Sequence, residues 1–171
     1  MDEFAIIGTR EPDLAQKLAA RELAHRLSEL NCLIRTGGAD GIDTDAMIGT
    51  LKGHLRVYLP WASYNKAVIP EHAEIVVYNP RSNGDWTRSV NLFHPAPNAL
   101  SRGAFALHAR NFGIVSGARG VIAMPDRLGG GGTGQGIRIA KALNIPLIQA
   151  NKGSIGDYVC FVEAAIRSWR V

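Results

Sequence analysis

Two glycine-rich stretches carry the residues best suited to chemistry. The first is Thr36-Gly37-Gly38-Ala39-Asp40-Gly41-Ile42-Asp43; the second is Gly129-Gly130-Gly131-Gly132-Thr133-Gly134-Gln135-Gly136. Each follows an apolar run and precedes a helix-like pattern. A strand that ends in glycines and feeds a helix presents bare backbone N–H groups at the positive end of the helix dipole, a setting for phosphate or another anion. In the second loop Thr133 adds a hydroxyl at the helix start, and four consecutive glycines exceed what a tight turn needs. No Gly-Lys-Ser/Thr follows, so it is not a P-loop. In the first loop the glycines allow close backbone approach, while Asp43 either caps the next helix or bonds a ligand hydroxyl. Asp40 and Asp45 bring negative charge there. They disfavour phosphate and favour a sugar hydroxyl, a base edge or an amine.

Other residues join these loops as candidates. Gly8-Thr9-Arg10 places a hydroxyl and a guanidinium directly after an apolar run, where the arginine either forks onto a phosphate or sits solvated in a turn. Arg110-Asn111 lies late in a helical pattern and reads as a ligand-binding pair or a surface ion-pairing site. His94 and His108 lack paired metal spacing and read as surface or packing residues. Trp61 and Trp86 either stack on a base or pack a core or lid. There is no Ser/His/Asp set, pair of catalytic carboxylates or Cys/His cluster, so a binding protein without catalytic residue, metal or cofactor is expected.

The elements that position these residues alternate. Strands are expected at Phe4–Ile7, Cys32–Arg35, Leu55–Leu59, Ile75–Tyr78, Gly120–Met124 and Pro146–Ile148. Helices are expected from Pro12 to Leu30, Ile42 to Leu51, Asn98 to Ser116, Thr133 to Leu143 and Tyr158 to Trp169. Residues 61–97 are less regular, broken by Pro80, Asn83-Gly84, Pro95 and Pro97, and read as an insertion or lid. Alternation of this kind predicts an α/β, Rossmann-like, doubly wound, mostly parallel sheet with helices on both faces. Ligands bind such sheets at the carboxyl ends of the strands, near a switch in strand order. The loops at Gly8, Gly37 and Gly130 should therefore converge.

Bulk properties agree. A chain of 171 residues suits a single domain, and 46% hydrophobic with 20% charged residues excludes a disordered chain. The net charge of +4 permits an anionic ligand without requiring DNA. Cys32 and Cys160 both fall in apolar patterns and are expected to be buried thiols. No apolar segment approaches the ~20 residues that span a bilayer, and Met1-Asp2-Glu3 lacks a basic signal-peptide start. A cytoplasmic protein with no membrane partner is expected.

These motifs together resemble the SLOG superfamily of Rossmann-like nucleotide-binding domains. The first half looks most like the DprA (Smf) family. That family's Gly-Ser-Arg is echoed by Gly8-Thr9-Arg10. Its Gly-x-x-x-Gly-Ile-Asp-x-x-Ala-x-x-Gly-x-Leu is echoed from Gly37 to Leu51, with Gly41, Ile42, Asp43, Ala46 and Gly49 in place. Its Arg-Asn-Arg-Ile-Ile-Ser-Gly resembles Arg110-Asn111 followed by Ile114-Val115-Ser116-Gly117. The second loop is similar to YspA-type and LOG-type members, whose Gly-Gly-x-Gly-Thr loop binds a nucleotide phosphate. The resemblance implies ligand contacts from Gly8, Thr9, Arg10, Gly37, Gly38, Asp40, Gly41, Asp43, Arg110, Asn111, Gly130, Gly131, Gly132, Thr133, Gly134 and Gln135. It also implies a homodimer, with single-stranded DNA as an alternative partner to a nucleotide. Two departures stand out. Asp40 occupies a position that is usually basic in DprA. LOG-type hydrolases place a catalytic glutamate three residues after the loop threonine, where this chain has Gly136, preceded by Gln135. A nucleotide N-glycosidic hydrolase is the less favoured alternative.

Overall fold

The computed structural model describes residues 1–169. Six strands form one sheet: β1 (Glu3–Gly8), β2 (Leu33–Thr36), β3 (Leu55–Leu59), β4 (Glu74–Val77), β5 (Gly120–Met124) and β6 (Leu147–Gln149). All five pairings are parallel, in the order β4-β3-β2-β1-β5-β6. The helices are α1 (Leu14–Glu29), α2 (Ile42–Gly49), α3 (Gly84–Phe93), α4 (Arg102–Val115), α5 (Gly131–Ala142) and α6 (Tyr158–Trp169). The expected Rossmann-like α/β architecture is present.

The sheet is buried because its central strands are apolar on both sides. In β1, Phe4 and Ile6 enter one core with α1, α2 and α6, while Ala5 and Ile7 enter a second core with α4 and α5. Phe4 and Ile6 are completely buried, and each large side chain so buried contributes about 1.5–3 kcal/mol. Asp13 starts α1 through a capping box: its carboxylate accepts from Gln16 N–H, and the Gln16 side chain reaches back to the Asp13 amide. Gln16 is itself fully buried, and its Nε2 donates to the carbonyls of Pro125 and Ala150, tying α1 to the ends of β5 and β6.

Arg35 fastens α4 to the other face of the sheet. Its guanidinium donates to the carbonyls of Gly113 and Ser116 and to Glu3 Oε2, the last at 2.9 Å. It also lies 5.0 Å from the centroid of the Tyr58 ring. The orphan carbonyls at the end of α4 are thus satisfied by a sheet side chain.

Two expectations differ from the structure. The stretch read as irregular contains, besides β4, the helix α3, whose Trp86 packs over Gly113 and stacks on Tyr78 at 6.2 Å between centroids. The turn residues Asn83-Gly84 mark the start of α3. Cys32 is buried, but Cys160 is exposed. The inward stripe of α6 runs through Val162, Ala165, Ile166 and Trp169, and Cys160 falls off that phase.

Candidate functional site

The strand order reverses between β1 and β5. The two loops leaving these strands, together with the loop after β2, border a cavity of about 640 Å³. Such a crevice outside the carboxyl ends of the strands is the usual ligand position in an open α/β sheet. Its wall includes Gly8, Thr9 and Arg10 after β1, and Ala39 and Asp43 around the start of α2. His108, Arg110 and Asn111 come from α4, and Gly130, Gly131, Gly132 and Thr133 from the start of α5.

The loop after β1 is a fixed corner. Thr9 N–H donates to the Met124 carbonyl at 2.9 Å, and the Thr9 carbonyl accepts from Ile42 N–H at 3.1 Å. A side chain at Gly8 would overlap Ile42, and one at Gly41, which has φ +82°, would run into the Thr9–Arg10 backbone. Arg10 is exposed at the cavity mouth and makes no ion pair among the described residues.

The first glycine loop is filled from within. Arg110 is 5% exposed. Its Nη1 donates to the carbonyl of Gly37 and, at 3.2 Å, to that of Tyr58. Asp43 Oδ2 lies 3.9 Å from the same nitrogen and accepts from Ala39 N–H at 3.2 Å. A Cβ at Gly37 would coincide with the Arg110 guanidinium, so glycine there makes room for arginine. Gly38 has φ +67° and rests on Val57, Leu59 and Ile69. Asp40 accepts from Asn65 Nδ2 at 3.1 Å, outside the cavity wall. Burial pushes the Asp43 carboxyl up from its ordinary range, and the Arg110 charge opposes that shift. Asp43 thus sits inside the first turn of α2, held to the loop and to Arg110. The α2 N-cap is Gly41, which makes no side-chain cap.

The second glycine loop is open. Asp126 Oδ1 accepts from the amides of Leu128 and Gly129 at 3.0 and 2.8 Å, which turns the chain into the loop. Gly129 and Gly131 need glycine for their φ of +63° and +65°. Gly130 does not: its backbone is extended (φ −88°), and a Cβ there would meet nothing within 4 Å. The first turn of α5 has no acidic residue and no side-chain cap, leaving its amides without side-chain partners. The Thr133 hydroxyl is half-buried and makes no hydrogen bond among the described residues.

Behind this turn, Gly134 packs on the Gly129 carbonyl and Gly136 on the Ile7 side chain; a Cβ at either would overlap. A side chain at position 136, which also lines the cavity, would have to displace the end of the Ile7 side chain. Gln135 is fully buried, and its Oε1 accepts from Asn111 Nδ2 at 3.1 Å.

Of the residues expected from sequence, Gly8, Thr9, Arg10, Asp43, Arg110, Asn111, Gly130, Gly131, Gly132 and Thr133 line the cavity. Gly37, Gly38, Asp40, Gly41, Gly134 and Gln135 stand behind or beside the wall. His108 lines it too, although sequence gave it only a surface or packing role. The signal for it lay in the helical spacing of His108, Asn111 and Ile114, which places all three on one face of α4. Trp86 is packed away beneath Tyr58 and Tyr78, whereas Trp61 is 40% exposed. Among the described residues no His/Cys/Asp/Glu group is placed to hold a metal ion, and no helix is long and apolar enough to cross a membrane.

The all-parallel sheet and a cavity at its switch point define a Rossmann-like protein. Within that class, residues 1–85 match the family described as DNA recombination-mediator protein A. Among solved structures it is similar to DNA processing protein A from Helicobacter pylori, described for its single-stranded DNA binding mode. That likeness has a TM-score of 0.66 at 20% identity and covers 98% of this chain and 81% of that one. It is also similar to the molybdenum cofactor binding protein of Rippkaea orientalis (TM-score 0.56, 17% identity, 99% and 85% covered). A third likeness is to the Moco Carrier Protein of Chlamydomonas rheinhardtii (TM-score 0.58, 15% identity, 99% and 97% covered). No curated protein sequence matches the chain significantly.

Proposed function

We propose that the chain binds a nucleotide or nucleotide-derived molecule without transforming it, with a phosphate seated on the start of α5. It then serves as a sensor of such a ligand or as a module that sequesters it. Gly130 carries this reading: neither backbone angle nor packing calls for glycine there, and the space above it opens into the cavity. Free amides at the positive end of a twelve-residue helix, beside an unpaired Thr133 hydroxyl, suit a phosphate. Arg10 supplies an exposed cation at the mouth. Gly136 occupies the position where a hydrolase of the LOG type places its glutamate, and the Gln135 before it is a buried amide; neither can act as a general acid or base, which supports binding over turnover.

Calorimetric titration with the four ribonucleoside monophosphates and inorganic pyrophosphate tests the phosphate seat. Thr133→Val is expected to weaken binding about tenfold, the value of one good hydrogen bond to a charged group, with little change in melting temperature. Unchanged affinity in this variant would place the phosphate elsewhere. The mass of any co-purifying small molecule would separate a nucleotide from a molybdenum cofactor, the ligand named for a structural neighbour.

A second reading, binding of single-stranded DNA, is favoured by the family match over residues 1–85 and by the exposed Trp61, which is free to stack on a base. It predicts oligonucleotide affinity that falls steeply with salt. Tight mononucleotide binding with no oligonucleotide binding would remove it.

A further inference from the structure

The polar wall of α4 determines its own proton positions. A backbone carbonyl only accepts. The Gly132 carbonyl therefore identifies the Asn111 atom 3.3 Å away as the Nδ2 donor. That same Nδ2 is 3.1 Å from Gln135, which must present Oε1 to it. Oε1 in turn lies 2.5 Å from His108 Nδ1. An amide oxygen cannot donate, so the Nδ1 of His108 carries the proton.

An uncharged imidazole has one N–H, which leaves Nε2 with its lone pair free. Burial disfavours a second proton. The Gln135 hydrogen bond works against that effect, while His94 from the end of α3, Arg138 from α5 and Arg110 from α4 reinforce it. His94 stands edge-on to His108, 4.5 Å between ring centroids, and its own Nδ1 accepts from Ala96 N–H. His108 Nε2 bonds nothing among the described residues. Unlike Gln135 Nε2, it is not sealed from solvent, and its residue lines the cavity.

A phosphate at the start of α5 brings acceptors only. An acceptor on the wall one helical turn from Asn111 therefore has no use for the phosphate and needs a donor from another part of the ligand. We infer that His108 is a specificity-determining residue, presenting Nε2 as an acceptor to a hydroxyl or N–H on the non-phosphate portion of the bound molecule. This rests on the phosphate seat proposed above. The geometry also gives Gln135 a use that a carboxylate would serve differently: as an amide it fixes the histidine tautomer without adding charge beside a bound anion.

The test uses the same probes on two variants. His108→Phe keeps a ring but has no acceptor. It is expected to lose about tenfold in affinity for the best-bound ribonucleoside monophosphate while binding of inorganic pyrophosphate stays unchanged. His108→Gln, whose amide oxygen extends to a similar depth, is expected to stay within about threefold of the parent for both. Equal monophosphate affinity in parent and His108→Phe, with pyrophosphate still bound, would overturn the inference and leave the phosphate seat standing. So would equal losses in both variants. If none of the probes binds the parent protein, the seat and this inference fall together. Long-range ¹H–¹⁵N spectra near neutral pH give a readout that packing alone would not move: the proton is expected on Nδ1 of His108, and the opposite tautomer would overturn the inference.

Discussion

The two glycine loops look alike on paper and are opposites in space. Around Gly37 the glycines admit the protein's own groups: the Arg110 guanidinium fills the place of a side chain, and Asp43 closes around it. At Gly129, Gly130 and Gly131 no internal group arrives, and the missing side chains leave room at the end of a helix dipole. A glycine loop therefore marks a ligand site only when its empty volume stays empty in the folded chain. The first loop builds the floor of the cavity, and the second leaves a place open to a guest.

The largest expected effect would come from removing the internal filling. Arg110→Ala leaves Asp43 buried beside an unoccupied space and is expected to cost about 3–5 kcal/mol in chemical denaturation, as broken buried ion pairs do. If the loss were under about 1 kcal/mol, the first loop would not depend on its arginine. Arg110, read from sequence as half of a ligand-binding pair or a surface ion-pairing site, lines the cavity at 5% exposure, and its guanidinium donates to the carbonyls of Gly37 and Tyr58. Next comes Gly37→Ala, whose methyl group must displace the guanidinium. Overpacking of this kind costs about 1–3 kcal/mol.

The matching change in the second loop would reverse the pattern. Gly130→Val is expected to leave stability within about 0.5 kcal/mol, as for an open surface site, while lowering nucleotide or pyrophosphate affinity at least about tenfold by occupying the seat. A variant that unfolds but still binds when folded would erase the contrast between the loops.

The smallest effect is a pH dependence confined to the wall between them. The folded-state pKa of His108 lies below its ordinary value of 6.5, chiefly through burial. The unfolded chain therefore takes up a proton first as pH falls below that value, and stability declines until the folded state is protonated too. His94, Arg138 and Arg110 all face this ring and act in the same direction. Denaturation midpoints measured across the acid range should fall less in His108→Phe than in the parent. Equal slopes would show that other groups control the acid limb.

The sheet was legible because apolar runs separated by helical patterns leave little choice of topology, and the central strand Phe4–Ile7 is unbroken in hydrophobicity. Where the loops converge was legible too, since parallel strands put all their carboxyl ends on one edge. Helix α3 was not, because Asn83-Gly84 and the prolines around it punctuate the chain as a loop would. The different fates of the two loops also lay beyond sequence. Arg110 reaches Gly37 across seventy-three residues, and no local pattern announces which glycine will receive it. The same holds for the Gln135–His108 contact between α5 and α4, where a residue of the second glycine stretch turns out to stand behind the cavity wall.

The register of β1 against β5, from Phe4↔Gly120 to Gly8↔Met124, has a consequence for how the chain comes into being. During synthesis β1 to β4 leave the ribosome well before β5 exists. Until then the apolar core strand β1 has one bare edge. When β5 docks there, it completes the core and brings the Gly130 turn opposite Thr9 and Arg10 in the same movement. The cavity is therefore a seam between an earlier and a later segment of the chain. A guest that touches both sides of the seam holds the late half onto the early one, so occupancy and completion of the fold reinforce each other.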